Sequence, residues 1–155
     1  MKTRRNGRRG HVLLELALSA GVLVTTLAGT FQFGYAFYVY NQLVTAIGNG
    51  AKYASQRSYR AASPEEIEKG RLAIRNLIVY GDSKPATDAR PIVPNLTPDQ
   101  IRVEWVPGDN GAPSAVDISL TEYPVNGIFG TVTLNNRPAV EFPFLGRYAP
   151  DEREP

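Results

Sequence analysis

One acid, Glu15, stands at the mouth of a run of uncharged residues that extends from Leu16 to Ala51. Taking a carboxylate into lipid costs several kcal/mol unless it is paired. Two accounts of Glu15 follow. It can sit at the level of the lipid headgroups, where the cost falls. Alternatively it can neutralise a cation on another chain, which would lower the cost and fix the axial stagger of two packed helices. Upstream lies a basic leader, Lys2, Arg4, Arg5, Arg8 and Arg9, closed by Gly10, and Glu15 is the fifth residue after that glycine.

Other site chemistry finds little material. The chain has no cysteine, which excludes disulfides, thiolate catalysis and Cys-type zinc sites. Its one histidine, His11, lies at the apolar end, so a Ser-His-Asp triad or a multi-histidine metal site in the rest of the chain is excluded. No phosphate loop or dinucleotide fingerprint occurs, and the turn around Gly108–Gly111 lacks the flanks of one. Asp109, Asn110 and Asp117 do not match an EF-hand loop and read as turn and strand-surface residues. Ser55, Ser58 and Ser63 have no base nearby in sequence. The sequence therefore predicts no catalytic residue, no metal and no cofactor.

The 17 basic residues exceed the 15 acids by two, but five of the bases fall within residues 1–10, where there is no acid. The remaining twelve bases face fifteen acids, so the bulk of the chain is mildly acidic. That balance argues against nucleic acid as a partner, which would need a basic face on the folded part.

A membrane-spanning helix needs about 20 apolar residues at ~1.5 Å each. Val12 to about Phe33 supplies them, broken by Glu15 and Gln32. The leading positive charges would hold the N-terminus in the cytoplasm and put the C-terminal part outside. Phe31, Phe33, Tyr35, Phe37, Tyr38 and Tyr40 fit an interfacial aromatic belt, core contacts for a head domain, or both. Ala17, Gly21, Thr25 and Gly29 form a period-four stripe of small residues, which lets helices approach closely in lipid. A cleaved secretory signal fits less well, because the apolar stretch exceeds the usual 7–15 residues of such a signal.

The apolar stripe Leu43, Ile47, Ala51 and Ala54 carries the helix beyond the membrane, with Asn41, Gln42, Thr45, Asn49 and Lys52 opposite. Gly48 and Gly50 weaken it and suggest a bend. The expected division is a leader over 1–10, a long helix over 11–57 that is transmembrane in its first half, an extracytoplasmic head over 58–149 and a charged tail over 150–155. In the head, Ser63-Pro64-Glu65-Glu66 is a helix start, with serine as N-cap and proline at the first turn. Ile67, Ile74, Leu77 and Ile78 line one face, and Gly81 is the stop. Pro85, Pro91, Pro94 and Pro98 mark residues 82–98 as a connector. Beyond it, Ile101, Val103 and Trp105, then Val116, Ile118 and Leu120, alternate with polar residues as half-buried antiparallel strands. Thr131–Leu134 and Ala139–Phe142 give two more around an Asn135-Asn136-Arg137 turn. Pro124 and Pro143 are expected at strand ends or edges. Trp105, Phe142, Phe144, Ile118 and the short helix are expected to dominate a thin core. The expected fold class is α+β: a long N-terminal membrane-spanning helix, a short helix and a small antiparallel β-sheet.

Arg8-Arg9-Gly10 through Glu15, then Phe33-Gly34, Phe37-Tyr38-Val39-Tyr40-Asn41-Gln42-Leu43 and Gly50-Ala51-Lys52-Tyr53-Ala54-Ser55, resemble the TadE-like family of pilin-like proteins, from the tight-adherence (Flp) branch of type IV pilus systems. The resemblance covers about residues 4–57. It departs at Leu16, where this branch usually has Phe or Tyr, at His11 as first mature residue, and at Lys52, where arginine is common. The resemblance implies cleavage between Gly10 and His11 by an aspartyl prepilin peptidase. His11 would then carry the new α-amine, available to Glu15 of a neighbouring subunit. It also implies that the product is a minor pilin or pseudopilin with no catalysis of its own. Its partners would be the peptidase, other pilin and pseudopilin subunits, the inner-membrane assembly platform and membrane lipid. Major pilins of this branch are usually much shorter, which favours a minor or tip role. Two other classes stay open: an unprocessed single-pass protein whose outer domain binds partners in an envelope complex, and a secreted binding domain released by signal cleavage.

Overall fold

The computed structural model describes residues 6–56, 59–60, 64–109, 113–146 and 148–149. The expected N-cap Ser63 and the charged tail lie outside the described residues.

Helix α1 spans Asn6–Gln56, 51 residues in one continuous element and about 77 Å long at ~1.5 Å per residue. Its described residues include Asn6–Gly10 as well as the stretch from His11 onward. The leader segment contains no proline, and arginine is a good helix former. The helix runs unbroken through Gly48 and Gly50, where the head domain packs along it. Val39, Leu43, Ala46, Ile47, Ala51 and Ala54 are all buried, while Asn41, Thr45, Asn49 and Lys52 stay exposed. The three- to four-residue apolar spacing thus becomes a seam against the head.

Helix α2, Pro64–Tyr80, packs on that seam. Ile74, Ile78 and Val79 are fully buried. Gly81 ends the helix at φ +77°, and its N–H donates to the Leu77 carbonyl at 2.9 Å, a left-handed C-terminal stop. The two helices come close because Gly50 has no side chain. A Cβ there would overlap Ile78 Cγ1 and lie 2.6 Å from its Cδ1. The glycine expected to loosen the helix instead seats it.

Strands β2 (Ile101–Pro107), β3 (Pro113–Leu120) and β6 (Ala139–Pro143) form an antiparallel sheet in the order β2-β3-β6. Val103 pairs with Ile118, and Ile118 with Val140. The expected alternation holds: Ile101, Val103, Val116, Ile118 and Leu120 are buried, while Arg102 and Glu104 are exposed. β4 (Glu122–Asn126) and β5 (Thr131–Asn135) make a separate antiparallel hairpin. β1 (Tyr59–Arg60) pairs in parallel with β7 (Tyr148–Ala149).

Three expectations change here. Asn135-Asn136-Arg137 does turn the chain, with Asn136 at φ 55°, but it moves the chain between two sheets rather than folding β5 onto β6. β4 had no place in the sequence reading because Pro124 interrupts it. Pro124 pairs with Thr133 in a two-stranded sheet, where a missing donor is tolerated. The core is aliphatic apart from Tyr123: Trp105, Phe142 and Phe144 pack at its margin, and the connector supplies Val93 and Leu96, both buried. Ile92 N–H donates to the Val79 carbonyl at 2.7 Å, which ties that connector to the end of α2.

Side-chain bonds complete the seams. Arg75 Nε donates to the Ile101 carbonyl at 2.9 Å, joining α2 to β2. Arg71 pairs with Glu68 at 2.6 Å and lies 5.7 Å from the Trp105 ring centroid. At the far end of α1, the carbonyl of buried Ser55 accepts the Leu145 N–H at 2.8 Å. This satisfies one of the acceptors that a helix C-terminus leaves open.

Candidate functional site

The first half of α1 touches almost nothing of its own chain. From Gly10 to Leu27 every residue is exposed, and only Ala28 and Gly29 are half-buried before Gln32. Val12, Leu13, Leu14, Leu16, Leu18, Val22, Leu23 and Val24 are among the large apolar side chains left open. Among the described residues, Gly10–Gln56 is the helix long and apolar enough to cross a membrane, and its most apolar window buries nothing inside the chain. The core helix of a water-soluble domain would be mostly covered, so this geometry is consistent with membrane association. Thr25, Thr26 and Thr30 each donate their hydroxyl to the carbonyl four residues back, at 2.8, 2.9 and 3.0 Å. These polar groups are therefore satisfied without water, as a helix in lipid requires.

His11 and Glu15 are one helical turn apart on the same face, about 6 Å along the axis. Both are exposed. The Gly10–His11 bond lies inside the second turn of α1, with Gly7 and Gly10 on its N-terminal side. Ala17, Gly21, Thr25 and Gly29 lie at four-residue spacing along α1. An added Cβ at Gly10, Gly21 or Gly29 meets nothing within 4 Å, so these glycines are not needed for packing within the chain. Of these residues, Gly10, His11, Glu15, Ala17, Gly21 and Thr25 are exposed, and Gly29 is half-buried. Of the aromatic cluster, Phe31, Phe33, Tyr35, Phe37 and Tyr38 are exposed, and Tyr40 is half-buried.

Two contacts of α1 escaped the sequence reading. One is Gly50 against Ile78. The other is Gln32, whose Oε1 accepts the Phe129 N–H at 2.7 Å across 97 residues. The available signal for the second was an uncharged stretch, Tyr123 to Asn136, with Gly127-Ile128-Phe129-Gly130 at its centre.

No group of three or more His, Cys, Asp or Glu among the described residues could hold a metal. A long, uncovered apolar helix capped by a small α+β head defines a pilin-like architecture. The family described as TadE-like protein matches residues 10–52. The match takes in 43 of the 155 residues, from Gly10 to the seam with the head, so this stretch of α1 is similar to the TadE-like family, in agreement with the resemblance of its motifs. This is a pilus-related family and not an enzyme family. No curated protein and no solved structure matches the chain.

Proposed function

We propose that this chain is a minor pilin or pseudopilin subunit of a tight-adherence type IV pilus, trimmed by a prepilin peptidase between Gly10 and His11. The observation that carries the reading is the coincidence of the family match, residues 10–52, with a helix whose first half is left uncovered. Before assembly the chain is held in the bacterial inner membrane, leader in the cytoplasm and head outside. It performs no catalysis and takes no cofactor. Its partners are the peptidase, the assembly platform, neighbouring pilin subunits and lipid.

In this reading Gly10 and His11 form the processing junction. Cleavage needs the second turn of α1 to open. Glycine in a helix costs about 1 kcal/mol relative to alanine, so Gly7 and Gly10 make that opening cheap. Trimming gives His11 a free α-amine, and Glu15 of an adjacent subunit neutralises it as the helices enter the filament. Ala17, Gly21, Thr25 and Gly29 let those helices approach closely.

The test is the intact mass and N-terminal sequence of the protein recovered from its native membrane. A chain starting at His11 supports the reading. A chain that keeps Lys2 to Gly10 favours the other one, an unprocessed single-pass protein whose head binds partners in an envelope complex.

A further inference from the structure

Among the described residues, the head domain leaves an apolar projection uncovered at a particular level of α1. The turn of the β4–β5 hairpin exposes Ile128 and Phe129, 68% and 60% accessible, with Val132 beside them on β5. No charge occurs from Tyr123 to Asn136. The turn is held against α1 at Gln32. The Phe129 N–H donates to Gln32 Oε1, and Gly127 leaves room for that side chain, since a Cβ there would lie 2.6 Å from Gln32 Cδ.

The height of Gln32 along the helix decides what surrounds this tip. Counted from Val12 or from Leu16, Gln32 lies about 24–30 Å along the axis at ~1.5 Å per residue. The hydrocarbon core is ~30 Å thick. Gln32 and the hairpin tip therefore fall at the boundary between hydrocarbon and headgroups on the head-domain side. Phe31 and Phe33 are exposed at the same level. The backbone of the turn suits a place poor in water: Gly127 N–H donates to the Gly130 carbonyl at 2.9 Å, and Phe129 N–H is taken by Gln32.

We propose that the β4–β5 hairpin is a second membrane contact, with Ile128 and Phe129 inserted among lipid acyl chains beside α1. The head is then fixed against the bilayer at two points rather than swinging on a single helix. Aromatic and aliphatic side chains without charge are what this interfacial zone accepts. The proposal rests on the reading of α1 as a membrane span, and the experiment separates the two.

The chain has no cysteine, so Phe129→Cys, Ile128→Cys, Leu23→Cys and Leu145→Cys each give a single labelling site on the full chain. Each is labelled with an environment-sensitive fluorophore and reconstituted in phosphatidylethanolamine–phosphatidylglycerol vesicles. Quenching is then measured with lipids that carry a spin label near the headgroup or at mid-chain. Leu23 reports the span, and Leu145, exposed on the head, reports solvent. The expected result is a blue shift at 128 and 129 with loss of most emission to the near-headgroup label, while 145 stays unquenched. Quenching at 23 with none at 128 and 129 overturns the hairpin proposal and leaves the span intact. No quenching at 23 overturns both. A blue shift at 129 that disappears on dilution with lipid, without lipid quenching, assigns the tip to a second copy of the chain and also overturns the proposal.

Discussion

Gly50 of α1 lies directly against Ile78 of α2, with no space for even one methyl group between them. Two residues away, Gly48 faces open space: a Cβ there meets nothing within 4 Å. Alanine is the better helix former by about 1 kcal/mol, so the two glycines should respond to it with opposite sign. Gly48→Ala should raise the melting temperature of the full chain in detergent. Gly50→Ala should lower it, by an amount corresponding to roughly 1–3 kcal/mol of overpacking, because Cγ1 of a β-branched side chain cannot swing away freely. In an Ile78→Ala background the cost of Gly50→Ala should shrink, which a double-mutant cycle measures. Equal effects at both glycines would deny the contact.

Gly81 should tolerate no ordinary side chain. Its φ of +77° is disfavoured for L-residues, and an added Cβ would also sit 3.3 Å from Ile92 Cδ1. Gly81→Ala should cost about 1 kcal/mol in the same melting experiment. Gly81→Asn should cost less, since asparagine accepts the left-handed region more readily. The reverse order would remove the assignment of Gly81 as the stop of α2.

Tyr123 ties the hairpin to the connector, its hydroxyl donating to the Pro94 carbonyl at 2.6 Å. Tyr123→Phe should cost about 1 kcal/mol. Burial, followed by the nearby Tyr35, raises the Tyr123 pKa above its ordinary value of 10.0. The folded state then keeps a proton that the unfolded state has lost. This contribution is intact below about pH 10 and falls as pH rises toward the folded-state value. Alkaline titration of stability should show this loss in the native chain and a weaker one in Tyr123→Phe. Parallel curves for the two proteins would count against it.

For the proposed pilin role, Glu15→Ala should leave membrane insertion intact and sharply reduce incorporation into filaments, scored by shearing pili and blotting for the subunit. Normal incorporation would sink the pairing of Glu15 with a neighbour's amine. Gly10→Leu should block trimming by the prepilin peptidase, read as retention of the leader by intact mass.

Much of this molecule is local and therefore readable along the chain. The apolar run after Glu15, the stripe Leu43, Ile47, Ala51, Ala54, the Gly81 stop and the alternation in β2 and β3 depend on periodicity and turn chemistry within a few residues. The spacing of Gly10, His11 and Glu15, the residues proposed for processing and assembly, is likewise a property of one helix. Nonlocal contacts were not legible. The sequence marks Gly50 as a weak helix former, and only the position of Ile78 makes that gap a packing surface. Val93 and Leu96 sit among prolines that signal a connector, yet the fold carries them into the core. β5 and β6 are adjacent in sequence and join different sheets, because β3 offers an edge to β6 while β4 takes β5. The meeting of Gln32 with Phe129 spans 97 residues. Sequence patterns record what each segment prefers; which surfaces remain to be covered, and by which distant segment, is decided only when all of them compete for the same burial.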